Sequence, residues 1–366
     1  LAGMPIGRAS FPDSQLTFSV GRVRFFVGLV AAAVAACSSM PPPVDTSNYT
    51  PLVLAPATMV GVIDRRADFR AFYCTEDRAN EQGCPDVLRK FRDEGHAARV
   101  PLVDESRRGS YLVAIALGVG WDCAQSIIDE PELPSAALQD LGFDTRLIEV
   151  EGLSGSHRNA DIVFLSLLDD LADSRPLILI GYSKGANDLL VALSRFPQLA
   201  ARTAAFVSVA GAIGGSPVAE NASAYTEKLL HFSPFGDCGV GDGQALASLR
   251  PRVRHAWLKD HLPLAVPSYS IITAPEPARV SRALHSPYKL LSIVHPLNDG
   301  ALFHWDQLLP RSTLLGYANA DHWAVSVPLR VSEVPFGQYL TENEYDRLGL
   351  WRSMLDFVIA DLGREL

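Results

Sequence analysis

The sequence predicts an α/β fold, with a mainly parallel central sheet and helices on both faces. Three observations carry that prediction. Six short runs are almost continuously apolar, as strands buried on both faces must be. Stretches with helical spacing alternate with them. The chain has 366 residues, 48% hydrophobic and 20% charged, so it can bury a sizeable core.

The runs follow in order. Tyr111–Leu117 is the first and ends in Gly118-Val119-Gly120. Thr145–Val150 is the second, and Pro176–Ile180 the third. Ala204–Ala210, Tyr269–Thr273 and Ser312–Tyr317 complete the set. Between them, 158–173 and 186–196 show helical spacing, with Leu189, Leu190 and Leu193 on one side. The last stretch, Glu342 to Leu362, places Leu348, Trp351, Leu355, Val358 and Leu362 on one face. Ser216 to Leu264 lies between two strands and reads as helical with a Gly-rich break at Gly236, Gly239, Gly241 and Gly243, a candidate lid over a site. One domain from 50 to 366 is expected.

Charge and motif content exclude several functions. Lys+Arg total 32 and Asp+Glu 41, a formal net charge of −9, which argues against a nucleic-acid partner that needs a basic face. The nine histidines and five cysteines form no CxxC or HExxH pattern, so no metal and no cofactor is expected.

The first residues read as an address. Arg22 and Arg24 precede the apolar stretch Phe25 to Ala36, which is short for a spanning helix. Val34-Ala35-Ala36-Cys37 resembles the bacterial lipobox, with Val34 where Leu is commonest. The resemblance implies a signal peptide over 1–36 and lipidation of Cys37. It also implies a membrane-anchored protein of the bacterial cell envelope, periplasm-facing or at the outer membrane. Ser38 after Cys37 favours the outer membrane. Residues 37–49, with Pro41-Pro42-Pro43, read as a stiff tether. An even count of remaining cysteines in an oxidising compartment suggests disulfides. Cys74–Cys84 is the simplest pairing and leaves Cys123–Cys238; four free thiols are the other reading.

Gly181-Tyr182-Ser183-Lys184-Gly185 matches G-x-S-x-G and sits between an expected strand and an expected helix. In that setting the turn is so tight that only glycines fit beside strand and helix, and the serine stands at a helix N-terminus, where backbone N–H groups favour an oxyanion. A serine hydroxyl needs a base, here His322 in Asn319-Ala320-Asp321-His322-Trp323, the last histidine in the chain. The base needs an orienting acid. Asp299, in Leu297-Asn298-Asp299-Gly300, is favoured over Asp306 and Asp321. The oxyanion donors are expected to be the N–H groups of Lys184 and Val119, with Gly120 as the alternative. The Lys184 side chain is given no role and expected to be solvated.

Together these residues resemble the α/β-hydrolase family over roughly 110–325. Gly181 to Gly185, Gly215-Ser216-Pro217-Val218-Ala219-Glu220, and Asn298-Asp299-Gly300 with Asp321-His322 resemble segments of bacterial lipases. Leu117-Gly118 stands where those lipases carry His-Gly. The resemblance implies a serine hydrolase of esterase or lipase type acting on a small-molecule or lipid ester, with Ser183 as nucleophile, His322 as base and Asp299 as acid. A non-catalytic envelope or secretion-associated lipoprotein, and an acyltransferase, are the alternatives.

Overall fold

Each of the six apolar runs forms a strand. The computed structural model describes residues 60–75, 84–124, 134–220, 241–327 and 345–363, all within the unit Tyr49–Leu366. The strands are β1 (Ile63–Asp64), β2 (Leu88–Arg89), β3 (Leu112–Ala116), β4 (Asp144–Ile148), β5 (Leu177–Tyr182), β6 (Thr203–Val209), β7 (Ser268–Thr273) and β8 (Thr313–Ala318). They lie in the order β1-β8-β7-β6-β5-β3-β4, parallel throughout, with β2 added antiparallel to β8.

The pleat sorts side chains to two cores. Val113, Ile115, Ile178, Ile180, Val207 and Ile271 face one side. There they meet helix α1 (Arg66–Thr75), through Phe69, Phe72 and Tyr73, and the C-terminal helix Arg347–Leu362. Ala114, Ala116, Leu179 and Phe206 face the other side. They meet α2 (Ser156–Ser166), α3 (Lys184–Arg195) and α4 (Pro251–His261), through Val163, Leu189, Leu193 and Trp257. Period-2 alternation within continuously apolar strands is what a sheet covered on both faces requires.

The C-terminal helix departs from its expected pattern. It buries Leu350, Trp351, Met354, Leu355, Phe357, Val358, Ile359 and Leu362, while Leu348 is exposed. The helix touches the sheet core, α1, the turn Glu105–Ser110 and the short helix Pro134–Gln139, so more than one side is covered. Arg108 locks it there. Its guanidinium meets Asp356 with two bonds of 2.8 Å, and both side chains are buried.

The candidate lid divides. Residues 221–240 lie outside the described residues. Helix α4 belongs to the body, because Trp257 and Arg254 are buried and Leu258 and Leu262 pack on the same core. The segments 1–36 and 37–49, with Cys37, also lie outside the described residues. So do Cys238 and the side chains of Cys84 and Cys123, and hence both candidate disulfide pairings. Among the described residues, no helix is long and apolar enough to cross a membrane.

Register sets up the site. Ala116 of β3 pairs with Gly181 of β5, and Tyr182 of β5 pairs with Val209 of β6. Thr273 of β7 pairs with Ala318 of β8. The residues that follow these strands therefore emerge together at the carboxyl edge of the sheet, where ligands of open α/β sheets bind.

Candidate active site

Ser183 stands between β5 and α3 with φ 54° and ψ −124°, a backbone conformation that side chains rarely adopt. The flanking glycines make the bend possible. A Cβ on Gly181 would lie 2.3 Å from the Ala186 Cα, and one on Gly185 would lie 2.1 Å from the Ala116 carbonyl oxygen. Backbone bonds staple the bend to the end of β6: the Ser183 N–H donates to the Val209 carbonyl (3.2 Å), and the Ala212 N–H donates to the Ser183 carbonyl (3.0 Å).

The three residues singled out by sequence meet. The Ser183 Oγ lies 2.8 Å from the His322 Nε2, and the His322 Nδ1 lies 2.8 Å from the Asp299 Oδ2. The His322 backbone N–H donates to the Asp299 carbonyl (3.0 Å). Asp299 is fully buried and its carboxylate is well supplied with donors. Oδ1 accepts from the N–H groups of Ala301 (2.9 Å) and Leu302 (2.7 Å). Oδ2 also accepts from the Thr273 hydroxyl (2.6 Å) and the Gln307 amide (3.2 Å). Asp321 does other work. Its carboxylate accepts from the N–H groups of Ser281, Trp323 and Ala324 and so fixes the turn beyond the base.

Four partners of the triad geometry carried no separate signal in the sequence. The Tyr182 hydroxyl donates to the His322 carbonyl at 2.6 Å, which ties the strand before the nucleophile to the loop that carries the base. Burial pushes the Tyr182 phenol well above its ordinary range, with the Asp299 and Asp321 charges adding to the effect. Thr273 and Gln307 hold the acid from β7 and from the turn His304–Gln307. Ser216, in the Gly215-Ser216-Pro217 segment, donates to the Ala301 carbonyl (2.8 Å) and so braces the acid loop. Tyr182 and Ser216 lay inside recognised motifs and Thr273 ended an expected strand; Gln307 had no pattern at all.

Around the oxyanion position the expectations need two corrections. The Gly120 N–H donates to the Gly152 carbonyl (3.2 Å), so this alternative donor is already engaged. The Lys184 side chain is not solvated. It is buried with its ammonium 2.7 and 2.8 Å from the two Asp188 oxygens, and the Asn159 amide donates to the same carboxylate (2.8 Å). The sequence offered Asp188 four residues on, but a Lys–Asp pair at that spacing is ordinarily a surface feature. The Lys184 N–H opens α3 and has no acceptor within the helix. Gly118 approaches the nucleophile so closely that a Cβ would lie 2.9 Å from the Ser183 Cβ. The neighbouring Val119 packs on a small cluster containing Ala212, Leu249 and Leu302.

Asp306 sits beside this machinery, in the same turn as Gln307. Burial pushes its carboxyl up to about 7, with the Asp299 charge adding to the effect and a hydrogen bond with the Phe303 backbone opposing it. The raised value means that the folded protein holds the proton after the unfolded chain has released it. Stability from this group is therefore full below about pH 4 and lost as pH rises toward 7. Asp306→Asn is expected to flatten that fall, raising the thermal midpoint at pH 8 relative to pH 5 by comparison with wild type. Parallel melting curves at the two pH values check it.

Among the described residues, no group of three or more His, Cys, Asp or Glu is placed to hold a metal ion. A cavity of about 680 Å³ lies at the β4 edge, and Ser183, His322 and Asp299 do not line it. In its lining Arg146 pairs with Asp170 (2.6 Å) and Arg175 with Asp144 (2.8 Å) and Asp173 (2.9 Å).

No protein-family model matches the chain, and no curated protein matches it in sequence. Solved structures do match. The chain is similar to the metagenomic carboxyl esterase MGS0156, with 31% identity and a TM-score of 0.77 over 90% of this chain and 99% of that one. It also matches the mature Bacillus licheniformis lipase BlEst2, with 18% identity and a TM-score of 0.45 over 57% of this chain and 84% of that one.

Proposed function

The chain belongs to the carboxyl esterases of α/β-hydrolase fold, and from that membership we propose that it is a serine ester hydrolase working through an acyl-enzyme. The observation that carries the mechanism is the unbroken chain from Ser183 Oγ through His322 to Asp299, with both links at 2.8 Å. In this reading the Ser183 oxygen attacks the ester carbonyl carbon while His322 Nε2 takes the hydroxyl proton. Asp299 holds the imidazole with Nδ1 protonated and stabilises the imidazolium that forms. The N–H groups of Lys184 and Val119 receive the tetrahedral oxyanion. The His322 proton then passes to the departing alcohol. Water, deprotonated by His322, attacks the acyl carbon, and His322 returns the proton to the Ser183 oxygen as the acyl–Oγ bond breaks and the acid leaves.

A fluorophosphonate probe tests the central claim. It should attach to the protein at Ser183, located by peptide mass spectrometry. Labelling elsewhere, or none on a folded protein, would remove the proposed nucleophile.

Tyr182 is a positioning residue in the same reading, since it touches the base's backbone and not the reacting atoms. Removing one neutral hydrogen bond is worth about 1 kcal/mol, so Tyr182→Phe should lower kcat about fivefold with KM little changed. Steady-state kinetics on a soluble ester, with the pH–rate profile, separate this from a loss of folded protein.

A further inference from the structure

Strand β4 leads into a turn, residues 151–155, that is bonded toward both sides of the nucleophile. The ester-hydrolase reading gives the oxyanion two donors, the N–H groups of Val119 and Lys184. They come from different elements, the loop after β3 and the first residue of α3. A misplacement of about 1 Å between such donors is costly, so something must hold them in register.

On one side the Gly152 carbonyl accepts from the Gly120 N–H (3.2 Å). That bond fixes the peptide plane that follows Val119. Among the described residues the Val119 N–H itself has no acceptor. The approach is close: a Cβ on Gly152 would lie 2.7 Å from the Gly120 nitrogen and 2.8 Å from its Cα. On the other side the Glu151 carbonyl accepts from the Asn159 amide (2.9 Å), which also donates to Asp188 (2.8 Å). Asp188 in turn holds the Lys184 ammonium. Asn159, Asp188 and Lys184 are all buried, so water does not compete for these bonds.

The turn is latched from outside by the stretch 241–245. The Asp242 Oδ1 accepts from the Gly155 N–H (2.8 Å), at the start of α2, and from the Gln244 N–H (2.9 Å). The Asp242 N–H donates to the Ser154 hydroxyl (2.9 Å), and the Ala245 N–H donates to the Leu153 carbonyl (3.1 Å). The Asp242 side chain is on the surface, away from the core.

We propose that this turn sets the geometry of the oxyanion hole. Gly152 positions the Val119 donor through Gly120, Asn159 positions the Lys184 donor through Asp188, and Asp242 latches the turn between them. The inference rests on the ester-hydrolase reading and deepens it. It also gives the buried Lys184–Asp188 pair a task. Such a pair gains little over apolar packing, but here it ties the start of α3 to the turn that governs the opposite donor.

A trifluoromethyl ketone reads the hole directly. Ser183 Oγ adds to its carbonyl carbon, the hydroxyl proton passes to His322, and the new oxyanion enters the hole. Gly152→Ala and Asn159→Ala, which disturb one donor each, should each lower kcat on a soluble ester by about tenfold or more. Each should weaken the ketone by a similar factor and leave KM within about twofold. Asp242→Ala should lower kcat and ketone affinity about fivefold, and Asp242→Asn, which keeps an oxygen acceptor, should return both to within about twofold of wild type. Thermal midpoints identify the folded variants, and if the two buried substitutions do not fold, the exposed Asp242 pair decides. A folded Gly152→Ala, Asn159→Ala or Asp242→Ala protein with wild-type kcat and ketone affinity overturns the proposal. So does a loss confined to KM, or an Asp242→Asn protein as impaired as Asp242→Ala. Failure of the hydrolase reading shows separately, as ester hydrolysis that Ser183→Ala does not reduce.

Discussion

Ser183→Ala should lower kcat for a chromogenic short-chain ester by about 10³-fold or more while the protein stays folded. The substitution is unusually clean at this position. Alanine meets the same positive φ of 54° that serine already tolerates, so no new backbone strain enters. Only the hydroxyl is removed, with its bond to the His322 Nε2. The staples from Val209 and Ala212 are backbone bonds and survive. The Lys184 N–H and the Gly118–Val119 loop also survive, so weak residual hydrolysis by water is compatible with the proposal. The thermal midpoint should move little. Hydrolysis unchanged from wild type in a folded Ser183→Ala protein would end the acyl-enzyme mechanism.

How much of this was legible in the residues differs from element to element. Strands β3, β5 and β6 were readable because each is apolar at nearly every position, as burial on both faces requires, whereas β4 at the sheet edge exposes Asp144 and Arg146 and was marked only by the short run Leu147-Ile148. The nucleophile bend was readable because its two glycines answer to steric limits of the bend itself, at Ala186 and Ala116. Strands β1 and β2 were not readable, since each has only two residues. Helix α1 was missed because Arg66, Asp68 and Arg70 interrupt its apolar face; Arg66 and Asp68 pair with the neighbouring Asp64 and Arg65, and Arg70 with Glu94, a partner that only the fold brings near. Lys184 was misjudged for the same reason. Its partner is four residues away, but the burial that makes the pair matter comes from packing against α2. In the site, spacing and local motif identified the triad residues, whereas Thr273 and Gln307 act through contacts between distant strands and turns that no local pattern encodes.

Asp299→Asn should cost about 10³- to 10⁴-fold in kcat near neutral pH, more than its isosteric shape suggests. The cause lies in the donors around the carboxylate. The N–H groups of Ala301 and Leu302 both point at Oδ1. An asparagine must place its single carbonyl oxygen there, which turns its NH₂ toward the position of Oδ2. That NH₂ would face the His322 Nδ1 2.8 Å away and donate to it. The imidazole would then carry its proton on Nε2, the tautomer that cannot take one from Ser183. The Gln307 amide, also a donor at that position, would lose one of its two acceptors, keeping the Thr273 carbonyl (3.0 Å), and add a cost in stability. Asp306 supplies the control. It is buried nearby, but His322 does not bond to it, so Asp306→Asn should keep kcat within a fewfold of wild type. Assays of both variants on one soluble ester, each with its thermal midpoint, decide between the two acids. A collapse of activity in Asp306→Asn with Asp299→Asn left active would reassign the orienting role, because only the group bonded to Nδ1 can dictate which nitrogen is free to accept the serine proton.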